Sequence, residues 1–478
     1  MISVKELIQN AYKKYGKQNF IFTKIEGKYE PITYGEFIEK SDALAHKLLD
    51  DGLVGKNIMI IGKNSVEYMM ADLAITAYVG ASVNTNPKLD LDSVERIVQK
   101  GDIAAIFYDV DLTDEIKQIK KSHPEITIYE LQDTVTNLAM GHELFTLDEQ
   151  DPDVCAKIIF TSGTTEAPKG VMLSLRNIFH GWEPLYARTH FGDNGTEVVY
   201  VFLPLSHTYC DIYNFLYSFF YGPEIYLCSD TDKIGQEILE VRPTAFCAVP
   251  IIYRRLYDFY GENIAQAFGD RIKYLYVGGA IFDKKLRKFY QEHGLSILEA
   301  YALTEVASSF AVDYPNPDDL ESTGTIYENI DVKIVNPDEN GIGDIVVKGD
   351  NVFMGYLNDP EKTAAAFTED GYFITGDYGR VKDHKLYVLG RRKDVLIGEN
   401  GENVYPEEIL QRLNRIDEVV AKIKGSVGEN GEIFYEVYAS SDNVERVEAV
   451  IAKYNESAMK KDKIVYYKIL PSEDISFK

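Results

Sequence analysis

Residues 158–173 read IIFTSGTTEAPKGVML, an apolar strand followed by small and hydroxyl-bearing residues and then Pro168-Lys169-Gly170. Thr161, Ser162, Gly163, Thr164 and Thr165 offer hydroxyls on a backbone that glycine leaves free to turn, and Lys169 returns one positive charge to the same loop. A polyphosphate suits such a loop, because N–H groups and hydroxyls bond its oxygens while an ammonium neutralises charge. An ordinary polar loop has a similar composition, so other segments must decide. EAYALTEVASS (299–309) presents Tyr301, Thr304 and Glu305 close together, and a carboxylate beside a phosphate loop can hold Mg²⁺. FITGDYGRV (373–381) offers Asp377 as an acceptor for ribose hydroxyls, and GRRKD (390–394) sets three basic residues beside an acid. A nucleotide-hydrolase loop of the GxxxxGK[ST] type is excluded, since Lys169 is followed by Gly170 and the glycine spacing fails.

These residues need a scaffold, and the patterning supplies one. From about 57 to 310, apolar runs alternate with helical patterns: NIMIIG (57–62), AAIFY (104–108), KIIFTS (157–162), VVYVFLPL (198–205), AFCAVP (245–250) and IKYLYVGGA (272–280). Their low alternation predicts strands of a sheet covered on both faces, an α/β layout. DKKLRKFYQEHG (283–294) predicts a helix with Asp283 as N-cap and Gly294 just past its end. Val4, Leu7, Ile8 and Ala11 mark one face of an N-terminal helix. After about 320, DVKIV, GDIVVKG, GYFITGDYGRV and KLYVLGR are short alternating strands that predict a small antiparallel barrel or sheet. Past Asp394 a third unit is expected, with a helix near 405–414, strands flanking Glu429-Asn430-Gly431 and a helix from Asn443 to Tyr454. The polar joint 389–395 is the expected hinge.

With 478 residues the chain is too long for one compact core. It carries 76 acidic and 50 basic residues, a net charge of −26. That field repels nucleic acid and anionic membrane, so a phosphate ligand must be held by a local site. Cys155, Cys210, Cys228 and Cys247 show no CxxC spacing and read as free thiols of a reducing cytoplasm. Eight scattered histidines show no metal-ligand spacing, so no zinc is expected. The N-terminus lacks the apolar stretch of a signal peptide. The most apolar segment, 212–228, is broken by Gly222-Pro223 and predicts no membrane span.

Taken in order, TSGTTxxPKG, YxLTE, TGD, GRxKD and GENVYPEEI (401–409) resemble the adenylate-forming superfamily of acyl-CoA synthetases, luciferases and peptide-synthetase adenylation domains. LPLSHTY (203–209) resembles the LPLxHT segment of fatty-acyl-CoA synthetases in particular. The resemblance spans essentially the whole chain. It implies a large domain over 1–389 made of α/β sheet layers with a small β-barrel, a hinge at 390–394 and a mobile α+β lid over 395–478. It implies two half-reactions: a carboxylate attacks the α-phosphate of Mg·ATP, releasing pyrophosphate, and a thiol then displaces AMP. The thiol is coenzyme A or a carrier-protein phosphopantetheine. Carried over by motif, Thr161 to Lys169 embrace the β- and γ-phosphates, Thr304 meets the α-phosphate and Glu305 binds Mg²⁺. Tyr301 stacks on adenine, Gly279 and Ala280 line its other side, and Asp377 and Arg391 grip the ribose. Lys393 is the pivot, and His207 joins Lys169, Thr304 and Glu305 among the catalytic residues.

Departures from the family pattern sharpen three expectations. Glu166 stands where Gly or Ser is usual and is expected to point away from the phosphates, since an inward carboxylate would oppose ATP by a few kcal/mol. Ala302 replaces a glycine, and its methyl is expected to narrow the acyl pocket, a selectivity of about 1–3 kcal/mol. The sequence ends LPSEDISFK without the family's terminal Gly-Lys, so either the chain is clipped or that lysine is absent, with Lys478 a poor match. HTYCDIYNFLYSFFYG (207–222) is expected to line the acyl pocket for an apolar acid. Asp211 keeps open the alternative of an amino acid, whose ammonium a carboxylate here would anchor. A nucleotide-binding homologue with impaired chemistry is the remaining alternative.

Overall fold

The computed structural model describes residues 3–161, 168–193, 196–307, 309–315, 317–397, 403–417, 419–420, 422–428, 432–439, 444–458 and 462–471. Residues 162–167, 398–402 with the first two residues of GENVYP, the 429–431 turn and Lys478 therefore lie outside the described residues.

Two large sheets carry the site. In the first, of seven strands, Asn57–Ile61 pairs in parallel with Ala81–Thr85 and Ile103–Tyr108, and Cys155–Thr161 adds in parallel beyond Ala81–Thr85. Ile58, Met59, Ile60 and Ile61 are all buried, which is why this run shows no alternation. Lys169–Ser174 then returns antiparallel, with Lys169 opposite Thr161. That register closes the base of the 162–168 loop and delivers the lysine to its rim.

Among the described residues the second sheet has thirteen strands. Glu224–Leu227, Val198–Val201, Ala245–Ala248, Tyr274–Val277 and Ile297–Ala302 run parallel at its centre. Ser309–Val312 and Gly324–Ile326 follow antiparallel. The four alternating strands expected after 320 are Asp331–Val335, Gly343–Lys348, Phe373–Lys382 and Lys385–Arg391. They are antiparallel, and Gly324–Ile326 joins them to the parallel strands in one ladder.

Some expected strands end early. VVYVFLPL leaves the sheet after Val201, AFCAVP ends at Ala248 because Pro250 opens the helix Pro250–Tyr260, and IKYLYVGGA keeps only Tyr274–Val277. Gly279, at φ 83°, makes the turn that follows, a conformation that favours glycine. Asp283 caps the helix Lys284–Glu292 by accepting from Leu286 N–H at 2.7 Å. The N-terminal helix Val4–Tyr15 buries Val4, Leu7, Ile8 and Ala11 as its spacing predicts. The C-terminal unit has its own core around Leu413, Val437 and Val447, between the helices Pro406–Ile416 and Val444–Ser457 and a sheet of Lys422–Val427, Ile433–Ala439 and Tyr466–Pro471. Among the described residues no helix is long and apolar enough to cross a membrane.

Candidate active site

Lys169 and Glu305 converge on one residue that sequence reasoning missed, Tyr356. The Tyr356 hydroxyl donates to Glu305 Oε1 at 3.0 Å, and Lys169 Nζ lies 5.7 Å from the centre of the Tyr356 ring. The short strand Gly355–Tyr356 places it there by pairing with Lys169–Ser174, Tyr356 opposite Val171. Burial and the neighbouring Glu305 raise the phenol pKa, so it stays a donor. Phe353 N–H donates to the Glu305 carbonyl at 2.8 Å, fixing the turn that presents the carboxylate. Two residues later Ala307 sits at φ 56°, ψ −46°, buried, an uncommon backbone state for a residue with a Cβ. Thr304 opens the same 3₁₀ turn and is half-buried.

Asp377, Arg391 and Tyr301 form a second constellation. Asp377 and Arg391 face each other across the antiparallel strands, and Arg391 Nε reaches Asp377 Oδ1 at 3.0 Å. The Tyr301 hydroxyl donates to Asp377 Oδ2. Burial raises the Asp377 pKa, the Arg391 guanidinium and the Tyr301 donor oppose that rise, and Glu305 adds to it. The Glu305 effect ties the two constellations electrostatically. Tyr301 packs edge-on against Phe310 at 5.0 Å, which fixes the plane of its ring.

A cleft of about 660 Å³ opens beside this group, within the range of a ligand pocket. Gly279, Ala280, Tyr301, Asp377, Arg391 and Lys393, all singled out from sequence, line it. Glu407, Lys422 and Lys424 of the C-terminal unit form its opposite wall and were not anticipated. Alternation along Lys422–Val427, with Ile423 buried between two exposed lysines, is the signal that was available. His207 lines neither this cleft nor the cavity described next. Tyr209 N–H donates to its Nδ1 at 3.2 Å, and desolvation of the ring lowers its pKa, which favours the neutral form.

The aromatic stretch does build an apolar cavity. Tyr209, Tyr213, Tyr217 and Tyr221 recur every fourth residue and all line it. The chain there is a π-helix over Tyr209–Leu216 followed by the helical turn Ser218–Tyr221, and single π-turns of this kind recur at functional sites. Ala300 lines both the cavity and the cleft, so the two adjoin. Ala302 lines the cleft and not the apolar cavity, so at that cavity it is not the narrowing methyl that was expected. A strand alternates its faces, and Ala302 begins the irregular pairing that follows Tyr301.

Asp211 is also corrected. It is fully buried outside the cavity, and Lys157 Nζ lies 2.8 Å from its Oδ2 while donating to both oxygens of Asp72 at 2.6 Å. A carboxylate already beside a buried ammonium cannot anchor a substrate ammonium.

Comparison with known proteins agrees with this geometry. The family model described as AMP-binding enzyme matches residues 7–357. A long-chain-fatty-acid–CoA ligase ACSBG2 of Xenopus laevis is 25% identical over 481 residues, covering 85% of this chain and 65% of that protein. ACSBG1 of Rattus norvegicus is 26% identical over 488 residues, covering 85% and 67%. The chain thus spans about two thirds of the length of these relatives. The crystal structure of ATP-bound MatB from Rhodopseudomonas palustris superposes with a TM-score of 0.85 at 22% identity, covering 98% of this chain and 95% of that one. Together with the shared sheet architecture, the family match over most of its length means that the chain belongs to the AMP-binding enzymes.

Proposed function

We propose that the protein activates a carboxylic acid with ATP to an acyl-adenylate, releasing pyrophosphate, and passes the acyl group to the thiol of coenzyme A. The observation that carries this reading is the adjacency of a polar cleft holding Tyr301, Asp377 and Arg391 to an apolar cavity through the shared wall of Ala300. One compartment suits a nucleotide and the other suits the tail of an acid, with the reacting carboxylate between them. In this reading Asp377 accepts from the ribose hydroxyls while Arg391 steadies its charge. Tyr301 offers its ring to the adenine, opposite Gly279 and Ala280.

Lys169 neutralises phosphate charge at the rim of the loop. Glu305 fits Mg²⁺ carried in with ATP, since that ion is held by one or two carboxylates together with substrate phosphates. Among the described residues no cluster of three His, Cys, Asp or Glu could form an all-protein cage. Thr304, beside Glu305, meets the α-phosphate. Lys393 is the pivot between a domain over 1–389 and a lid from 395 onward, which presents Lys422 and Lys424 to the cleft. Coenzyme A is the acceptor we favour because the relatives are named CoA ligases.

The test is pyrophosphate release with Mg·ATP over a panel of fatty, aryl and amino acids, followed by thioester formation on adding coenzyme A. Acid-dependent release, with AMP formed on thiol addition, is the expected result. ATP binding without release for any acid would sink the reading.

A further inference from the structure

Tyr209, Tyr213, Tyr217 and Tyr221 keep to the cavity wall at intervals of four residues, and an ordinary helix does not arrange that. At about 3.6 residues per turn, each step of four turns the face by about 40°, so the row would wind off the wall. The chain lessens this drift by opening into the π-helix Tyr209–Leu216, where Tyr217 N–H donates to the Ile212 carbonyl, five residues back, at 2.9 Å. Winding of this kind is rare, so a contact from outside the helix must favour it.

Asp211 is placed to make that contact. It lies two residues, about half a turn, from both Tyr209 and Tyr213, and it is fully buried behind the helix without lining the cavity. Lys157 Nζ sits 2.8 Å from Asp211 Oδ2 and donates to both oxygens of Asp72 at 2.6 Å. Lys157 belongs to the strand Cys155–Thr161 and is the register partner of Ser82, whose hydroxyl also donates to Asp72. The ammonium is thus a fixed point on the sheet, and Asp211 meets it in the observed winding of the helix. A buried charge cluster is a poor source of net stability, since apolar residues of similar volume often do as well. Its contribution here is geometric.

We infer that Asp211 is a positioning residue for the acid: its contact with Lys157 selects the winding that sets Tyr209, Tyr213 and Tyr217 on the cavity wall, and through them the tail that fits. This rests on the acid-activating reading and adds to it a residue that touches no substrate. Asp211 acts on acid choice from behind the helix, where a carboxylate cannot anchor a ligand.

Two substitutions in the full chain test this. Asp211→Leu removes the contact, keeps the bulk and leaves the Lys157–Asp72 pair. Asp211→Asn keeps the shape and an oxygen beside the ammonium. Asp211→Leu is expected to raise the KM of the best acid about tenfold, the scale of a misfit of about one methylene, and the KM of ATP far less. It is also expected to flatten the ranking of the panel of fatty, aryl and amino acids, which Asp211→Asn should preserve. Urea unfolding shows whether each variant is folded. Should Asp211→Leu not fold, the apolar set Asp72→Leu, Lys157→Met and Asp211→Leu leaves no buried charge and reads the same quantities. A folded variant with an unchanged acid ranking, or with equal rises in the KM of acid and of ATP, overturns the inference. Calorimetric binding of the same acids reads the cavity apart from the chemistry. A binding order that Asp211→Leu flattens, in a chain that releases no pyrophosphate with any acid, would support the positioning role and overturn the reaction.

Discussion

The Tyr356 hydroxyl donates to Glu305 at 3.0 Å while Lys169 lies over the same ring. One residue therefore orients the carboxylate and crowds the ammonium of two motifs that are far apart in sequence. Tyr356→Phe keeps the ring and removes the donor. It is expected to leave the fold intact and slow adenylate formation about tenfold, the scale of one hydrogen bond to a charged group. Single-turnover pyrophosphate release checks this, and a rate equal to that of the unaltered protein would remove Tyr356 from the site.

Lys169→Ala and Glu305→Gln should each slow adenylate formation by about 10²-fold or more, as for lost stabilisation of developing charge. Because both side chains touch Tyr356, their effects should not add. A double-mutant cycle is expected to give a coupling of at least about 0.5 kcal/mol. Near-native rates in either single variant would contradict the proposed roles.

In the proposed reading Asp377 meets the nucleotide, and burial raises the pKa of its carboxylate against the pull of Arg391 and Tyr301. A raised pKa means that the group takes up its proton at a higher pH than an ordinary aspartate. Nucleotide affinity is then expected to weaken as pH falls toward that pKa, because a protonated carboxyl loses its attraction for Arg391. Asp377→Asn should bind ATP about tenfold more weakly and lose that part of the pH dependence. Equilibrium dialysis from pH 5 to 8 measures both, and identical profiles would refute the assignment.

Much of the site was legible because its motifs are local. Tyr301, Thr304 and Glu305 sit on one strand end and turn, and Asp377 and Arg391 are register partners in one hairpin. Tyr356 was not legible, since pairing with the strand Lys169–Ser174, remote in sequence, brings it in, and the alternation that marks Lys422 and Lys424 as exposed does not say that they face the cleft. The strand Ala81–Thr85 was missed for a different reason. Ser82, Asn84 and Thr85 are polar types that interrupt any apolar run, yet all are buried, and the Ser82 hydroxyl donates to Asp72 at 2.6 Å. The same buried network misled the reading of Asp211, because sequence displays a carboxylate but not the lysine folded against it.

That network makes a stability prediction. Lys157 lies between Asp72 and Asp211, and all three are fully buried. Burial and the nearby Asp72 push the Asp211 pKa well above the usual range, while Lys157 pulls it down. Lys157→Ala leaves two carboxylates without a cation and is expected to cost about 3–5 kcal/mol. Asp211→Asn keeps the Lys157–Asp72 pair and removes a repulsion, so its cost should be much smaller. Urea unfolding ranks them, and equal losses would show that Asp211 carries full charge in the native state.

Asp313 supplies the last test, one in which the sign matters. It accepts from the Arg287 guanidinium and from Glu299 N–H, the latter at 3.1 Å, beneath the strand that carries Tyr301. Burial pushes its pKa up to about 6, with Arg287 opposing and Glu299 reinforcing the shift. An unfolded aspartate titrates near about 3.9. Between those values the folded chain holds a proton that the unfolded chain has released, so stability contributed by this group is present below about pH 4 and lost as pH rises through about 6. Asp313→Asn cannot titrate. Its unfolding free energy, followed from pH 4 to 7, should lack the downward slope that the unaltered chain shows over that window. Parallel curves would mean that Asp313 stays ionised against Arg287 throughout, and that the pair holds the Tyr301 strand with its full charge.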